Sequence, residues 1–164
     1  MKTAIVYSHS AKKTSQVAKQ IIDEVEWKSI DNLNVDELLP EKLLDYDLLI
    51  LGVSTWFDGE LPSNWDELVP AIEDLSFKGK KVAIFGNGDQ IGYPENFGDA
   101  VGLMADLFES LGATIIGKTS TKGYAFNSSR ALRGDHFIGL LLDFENQHEK
   151  NAIRIKEWAN HFKQ

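Results

Sequence analysis

The sequence predicts an α/β fold, a doubly wound parallel sheet with helices on both faces. Two observations carry this. Four short runs, AIVY (4–7), DLLILGV (47–53), KVAIFG (81–86) and ATIIG (113–117), are almost continuously apolar and rich in Ile, Val and Leu. That is the composition of strands buried on both faces. Between and after them, apolar residues recur at helical spacing, so strand and helix alternate along the chain.

The elements follow in order. After AIVY, Val17, Ile21, Ile22 and Val25 share one helical face. A weaker strand is expected near WKSI (27–30). DLLILGV is followed by a helix whose stripe is Trp65, Leu68, Val69 and Ile72. Ser63 with Asp66 reads as a capping box for it, and Pro70 is expected to kink it. KVAIFG leads to a stripe of Phe97, Val101, Met104, Phe108 and Leu111, which Gly112 should close. The segment from Lys118 to His136 is polar, turn-rich and too long for a simple connection. It precedes a fresh apolar strand, FIGLLLDF, and so reads as an insertion that splits the last strand. Ala152, Ile155, Ala159 and Phe162 form a final helical stripe.

At 164 residues with 43% hydrophobic content, a single domain over 1–164 with a sizeable core is expected. The net charge of −8 argues against nucleic acid or an anionic membrane as a partner, and favours partners with basic docking faces. With no cysteine, thiolate catalysis and Cys-ligated metals are excluded. Neither a signal peptide nor a membrane-length apolar run is present, so a cytoplasmic monomer is expected. His136, His148 and His161 lack metal-ligand spacing.

In an open α/β sheet, ligands bind beyond the carboxyl ends of the strands. This joins three turns: Ser8–Thr14, Ser54–Leu61 and Asn87–Phe97. The first lies between a strand and a helix, where phosphate groups are held by backbone N–H groups. It reads SHSAKKT, without glycine. The second and third, STWFDGEL and NGDQIGYPENF, each carry a large aromatic, Trp56 and Tyr93. Two loop aromatics beside a phosphate-type turn suit a flat phosphorylated ligand, flavin mononucleotide (FMN).

TWFDGELPSNWDEL, FKGKKVAIFGNGDQIGYPENFGDAVG and KGYAFNSSRALRGDHFIGLLLDFENQ together resemble the flavodoxins, the last stretch resembling the insertion of their long-chain class. The resemblance covers nearly the whole chain. It implies a flavodoxin-like three-layer sandwich around a five-stranded sheet of order 2-1-3-4-5, for which flavodoxin is itself the standard example. It implies low-potential one-electron transport by non-covalently bound FMN between redox proteins, ferredoxin–NADP reductase being one type of partner. No enzymatic activity is implied. An FMN-dependent quinone reductase of the same fold and a flavin-free binding module are the alternatives.

By this resemblance Trp56 and Tyr93 match the stacking aromatics. Ser54, Thr55, Asn87, Gly88, Asp89 and Asn96 match loop positions that contact the ring edge and ribityl chain. The turn Trp56–Phe57–Asp58–Gly59 matches the loop whose peptide can flip toward the flavin. Without glycine at Phe57–Asp58 that flip should be harder, and the Asp58 carboxylate should lower the potentials. The family's phosphate loop reads T-x-T-G-x-T, whereas Ser8, His9, Ser10, Ala11, Lys12, Lys13 and Thr14 stand here. Lost hydroxyls weaken phosphate binding by about 1 kcal/mol each. The two lysines add charge that offsets some of that loss and should make affinity salt-sensitive.

Overall fold

A computed structural model describes every residue except Lys28, Phe57 and Gln164. Its strands β1 (Thr3–Tyr7), β2 (Asp31–Asn34), β3 (Leu48–Ser54), β4 (Lys81–Asn87) and β5 (Thr114–Ile116) form a parallel sheet of order β2-β1-β3-β4-β5. The expected order is therefore observed.

Alternation along the strands sends side chains to two cores. Ile5, Tyr7, Leu48, Ile50, Ala83 and Phe85 face helices α1 (Lys12–Val25) and α4 (Asn151–Asn160), where Val17, Ile21, Ile155 and Trp158 complete the layer. Ala4, Val6, Leu49, Leu51, Val82 and Ile84 face the other side. There Trp65 and Ile72 of α2 (Ser63–Ile72) and Val101, Met104 and Phe108 of α3 (Asp99–Ser110) close the layer. The stripes read from the sequence thus supply most of the buried faces, except that Ala152 is exposed and Trp158 takes its place on α4. Phe97, Leu111 and Phe162 belong to the cores but lie beyond the helix ends.

The last strand is split as expected. β5 pairs with Lys81–Ala83, and β9 (Leu140–Leu142) takes the same edge of β4 further along, at Phe85–Asn87. Between them β6 (Thr119–Ser120), β7 (Leu132–Arg133) and β8 (His136–Phe137) make a small antiparallel sheet of order β6-β8-β7. FIGLLLDF is therefore two strands, not one. Phe137 pairs into the small sheet, the chain turns through Ile138–Gly139, and β9 returns to the main sheet. Gly139 permits that turn, since a Cβ there would stand 2.2 Å from the Ile84 carbonyl oxygen.

Two local expectations are corrected. The second strand is Asp31–Asn34, not WKSI (part of which, Lys28, lies outside the described residues). Trp27 and Ile30 instead pack on the α1/α4 core, while the polar DNLN forms an edge strand that needs no apolar run. Ser63 and Asp66 form no capping box, because α2 starts one residue early. Pro62 holds the N-cap, and its carbonyl accepts from Trp65 (3.1 Å) and Asp66 (2.9 Å). Pro70 lies inside α2, which runs through it to Ile72, and its ring removes the N–H that would donate to the Asp66 carbonyl. Gly112, at φ 99°, does follow α3 in the left-handed region and donates to the Glu109 carbonyl at 3.0 Å.

Candidate functional site

The carboxyl ends of β1, β3, β4 and β9 open into a cavity of about 670 Å³. It is lined by Ala11, Lys12, Lys13 and Thr14 from the first turn, and by Ser54, Thr55 and Trp56 from the second. Asn87, Gly88, Asp89, Tyr93 and Asn96 come from the third. The three turns joined in the sequence thus share one cavity. Trp56 is 43% exposed and Tyr93 53%, so each keeps part of its ring surface accessible at the cavity.

The first turn differs from its expected arrangement. Ser8, His9 and Ser10 do not line this cavity. The Ser8 hydroxyl donates to Asp36 at 2.7 Å, and Ser10 donates to the same carboxylate oxygen at 3.4 Å. A second, smaller cavity lies on that side, bordered by Asp36 and Asn64. His9 turns the other way, its Nε2 2.9 Å from the Asn32 amide oxygen and its ring 4.8 Å from that of Tyr7. Hydrogen bonds from the Ser8 hydroxyl, the Asn64 side-chain amide and the Ser10 hydroxyl, with nearby His9 adding less, hold the Asp36 carboxyl below the usual range. What the turn offers the main cavity is the start of α1. Ala11 caps it without a side-chain bond and no acidic residue occupies its first turn, so the amides of Lys12, Lys13 and Thr14 face no carbonyl four residues back.

In the second turn, Trp56 and Glu60 exchange backbone hydrogen bonds of 2.8 and 2.7 Å, closing a tight loop. Phe57 lies outside the described residues. Asp58 is exposed, while Gly59 is buried against Asp99 and Asn96; neither lines the cavity. The Thr55 hydroxyl accepts from Ala100 N–H at 3.1 Å and so joins this loop to the start of α3. Asp99, 2% exposed, accepts from Arg130 N–H (2.8 Å) and Asn96 Nδ2 (3.1 Å), which makes it a buried brace instead of a surface charge.

The insertion holds the third turn. Asn127 and Ser128 donate backbone N–H to the Pro94 carbonyl at 2.8 and 3.0 Å, and Ala125 donates to the Gln90 side chain at 2.6 Å. Phe97 packs among Tyr124, Phe126 and Phe137 at ring separations of 5.5–6.1 Å. Asp89 Oδ1 accepts from Gly92 N–H (2.7 Å), Asn146 Nδ2 (2.8 Å) and Ile91 N–H (3.2 Å). The Gly92 bond above all, with the Asn146 and Ile91 bonds and the Lys13 charge, lowers the Asp89 pKa despite partial burial. Asn87 Oδ1 is buried and has no hydrogen-bond partner among the described residues. Such an acceptor is costly to leave empty, and it lies on a residue that lines the cavity.

Two lining residues were not legible beforehand, Phe144 and Glu145 on the loop after β9. Lys13 forms an ion pair with Glu145 and sits 5.8 Å from the centre of the Phe144 ring, linking this loop to the first turn. The signal was available: β9 runs parallel to β4, so its following loop must emerge at the same end of the sheet. Reading FIGLLLDF as one strand hid where that loop began.

Comparison with known proteins agrees with this architecture. A flavodoxin family model matches residues 5–158. A flavodoxin from Nostoc sp. is 41% identical over 162 residues, covering 99% of this chain and 95% of that protein. Flavodoxin 1 of Escherichia coli K12 is 39% identical over 158 residues, covering 96% and 90%. The solved structure of Fusobacterium nucleatum flavodoxin bound to flavin mononucleotide superposes with a TM-score of 0.90 at 28% identity, covering 99% and 97%. With the sheet order, the split last strand and nearly full-length matches all in agreement, this chain belongs to the flavodoxin family.

Proposed function

We propose that the chain is a low-potential one-electron carrier that binds FMN non-covalently in the 670 Å³ cavity and passes electrons between redox proteins. The observation that carries the reading is the buried, unpartnered Asn87 Oδ1 in a cavity walled by the α1 N-terminus and two exposed aromatics. Bound FMN supplies the redox chemistry. The chain's own part is to hold it and to set its surroundings.

In this reading Trp56 and Tyr93 cover the ring. Asn87 Oδ1 accepts from a donor of the ring or ribityl chain, beside Ser54, Thr55, Gly88, Asp89 and Asn96. The amides of Lys12, Lys13 and Thr14 hold the phosphate, with Ala11 at the cap and Lys13 adding charge. Ser8, Ser10 and His9 act one step back, on the shape of the turn, and Asp58 and Gly59 shape the Trp56 loop. Exposed Asp58, Glu60 and Glu95 give the rim of the aromatic loops a negative field, which favours a partner with a basic face and opposes added negative charge in the site. No helix among the described residues is long and apolar enough to cross a membrane. The proposed setting is the cytoplasm, as a monomer.

The test is to titrate FMN and riboflavin into the apo-protein at two ionic strengths while following the visible spectrum. The expected result is binding of both, tighter and more salt-sensitive for FMN. A protein that stays colourless with FMN overturns the reading.

A further inference from the structure

A further cavity, of about 570 Å³, shares no lining residue with the main cavity or with the one beside Asp36. It lies between the start of the insertion and α4, with buried Trp158 and Leu140 among its walls. Lys118, Lys122 and Arg154 all line it, a local concentration of positive charge on a chain of net charge −8. Glu157 is the one carboxylate in the lining, and no ion pair joins it to any of the three cations among the described residues.

Arg154 is the informative residue. Its guanidinium stacks 3.9 Å from the centre of the Tyr124 ring, which fixes its plane. Its Nη1 is buried and has no acceptor among the described residues. Its Nη2 and the Lys150 ammonium both border the space beside Gly123, 3.5 and 3.9 Å from where a Cβ would stand there. The Ser120 hydroxyl oxygen accepts from Lys122 N–H at 3.1 Å, which leaves its O–H to donate. The cavity therefore collects an oriented guanidinium, two ammonium groups and a hydroxyl. That donor set matches a multiply charged oxyanion.

We propose that this cavity is a second anion site, which takes the phosphate of a small phosphorylated molecule independently of the main cavity. Arg154 supplies the oriented donor, and Lys118 and Lys122 the supporting charge. The volume exceeds what an inorganic ion fills, and Trp158 and Leu140 give the remainder of such a molecule an apolar wall.

The experiment is an amide-resolved NMR titration of the FMN-loaded protein with inorganic phosphate and then pyrophosphate, with chloride matching the ionic strength. Saturable shifts are expected at the amides of Thr119–Gly123 and at the Trp158 indole N–H. Affinity should fall about tenfold in R154Q and by a smaller factor in K118Q, and should weaken with added salt. Lys118 is exposed, so K118Q keeps the test valid even where R154Q perturbs packing against Tyr124. Shifts that grow without saturating, affinities unchanged in both variants, or shifts confined to Ala11–Thr14 overturn the proposal.

Discussion

Ser8 donates its hydroxyl hydrogen bond to Asp36 at 2.7 Å, across 28 residues of sequence, and so turns a phosphate-loop hydroxyl toward a carboxylate. Ser10 leans on the same oxygen, and Asn64 donates to the other at 3.0 Å. The turn that should greet a phosphate is therefore shaped from behind by a negative charge. A carboxylate beside a phosphate site opposes the ligand, even though it organises the loop. Asp36→Asn should raise FMN affinity about fivefold and leave riboflavin affinity unchanged. Since Asp36 is exposed, the cost in stability should stay below about 1 kcal/mol. Parallel FMN and riboflavin titrations of the variant check this, and equal gains for both ligands would count against it.

The Lys13–Glu145 pair ties the first turn to the loop after β9. Both side chains are about half exposed, at 52% and 56%, so the pair adds little to folding. Its weight is on binding. Glu145→Gln should free Lys13 for the phosphate and tighten FMN severalfold, whereas Lys13→Gln should weaken it and flatten its salt dependence. Isothermal titration at two salt concentrations distinguishes the two effects.

Trp56 and Tyr93, 43% and 53% exposed, bury about half of their surface in the protein itself, so Trp56→Ala and Tyr93→Ala should each lower the stability of the apo-protein by about 1–2 kcal/mol. Both should weaken FMN and riboflavin alike, by about tenfold or more, because the lost contact is with the ring and not the phosphate. Thermal melts of the apo-proteins alongside both titrations test the separation.

Titration should show two pH edges. Asp36 and Asp89 have folded-state pKa values lowered chiefly by hydrogen bonds, from Ser8 and from Gly92 respectively. Their contribution to stability is complete above the unfolded value of about 3.9 and is lost as pH falls through the lower folded value. The deficit in melting temperature of Asp89→Asn, clear at neutral pH, should therefore shrink to nothing in strong acid. At the alkaline end, burial raises both Tyr46 and Tyr124 to about 12; the Tyr46 hydrogen bond to Asp31 adds to the effect. Their stabilisation is present below the unfolded value of about 10 and is lost as pH rises through 12. Ultraviolet titration should show two of the four tyrosines ionising late.

Gly139→Ala places a Cβ 2.2 Å from the Ile84 carbonyl oxygen, where backbone cannot yield cheaply. Destabilisation of about 1–3 kcal/mol is expected, with β9 and the insertion loosened first. Denaturant unfolding measures the cost, and hydrogen exchange at Leu140–Leu142 locates it.

The sheet order followed from the resemblance to the flavodoxins, while the sequence by itself determined the alternation of strands and helices, most of the helical faces, the split last strand and the three turns that share the main cavity. These are written locally. A strand buried on both faces must be apolar, an amphipathic helix must repeat, and loops after parallel strands must emerge at one end. What only the tertiary structure decided is where polar side chains spend their hydrogen bonds. Ser8 and Ser10 read as phosphate ligands until Asp36 meets them from β2's far end. Glu145 enters the site only because β9 returns to the edge of β4. Apolar pattern is a property of neighbours along the chain. The partner of a hydroxyl or carboxylate is here a property of segments 26 to 132 residues apart, and only folding brings these together.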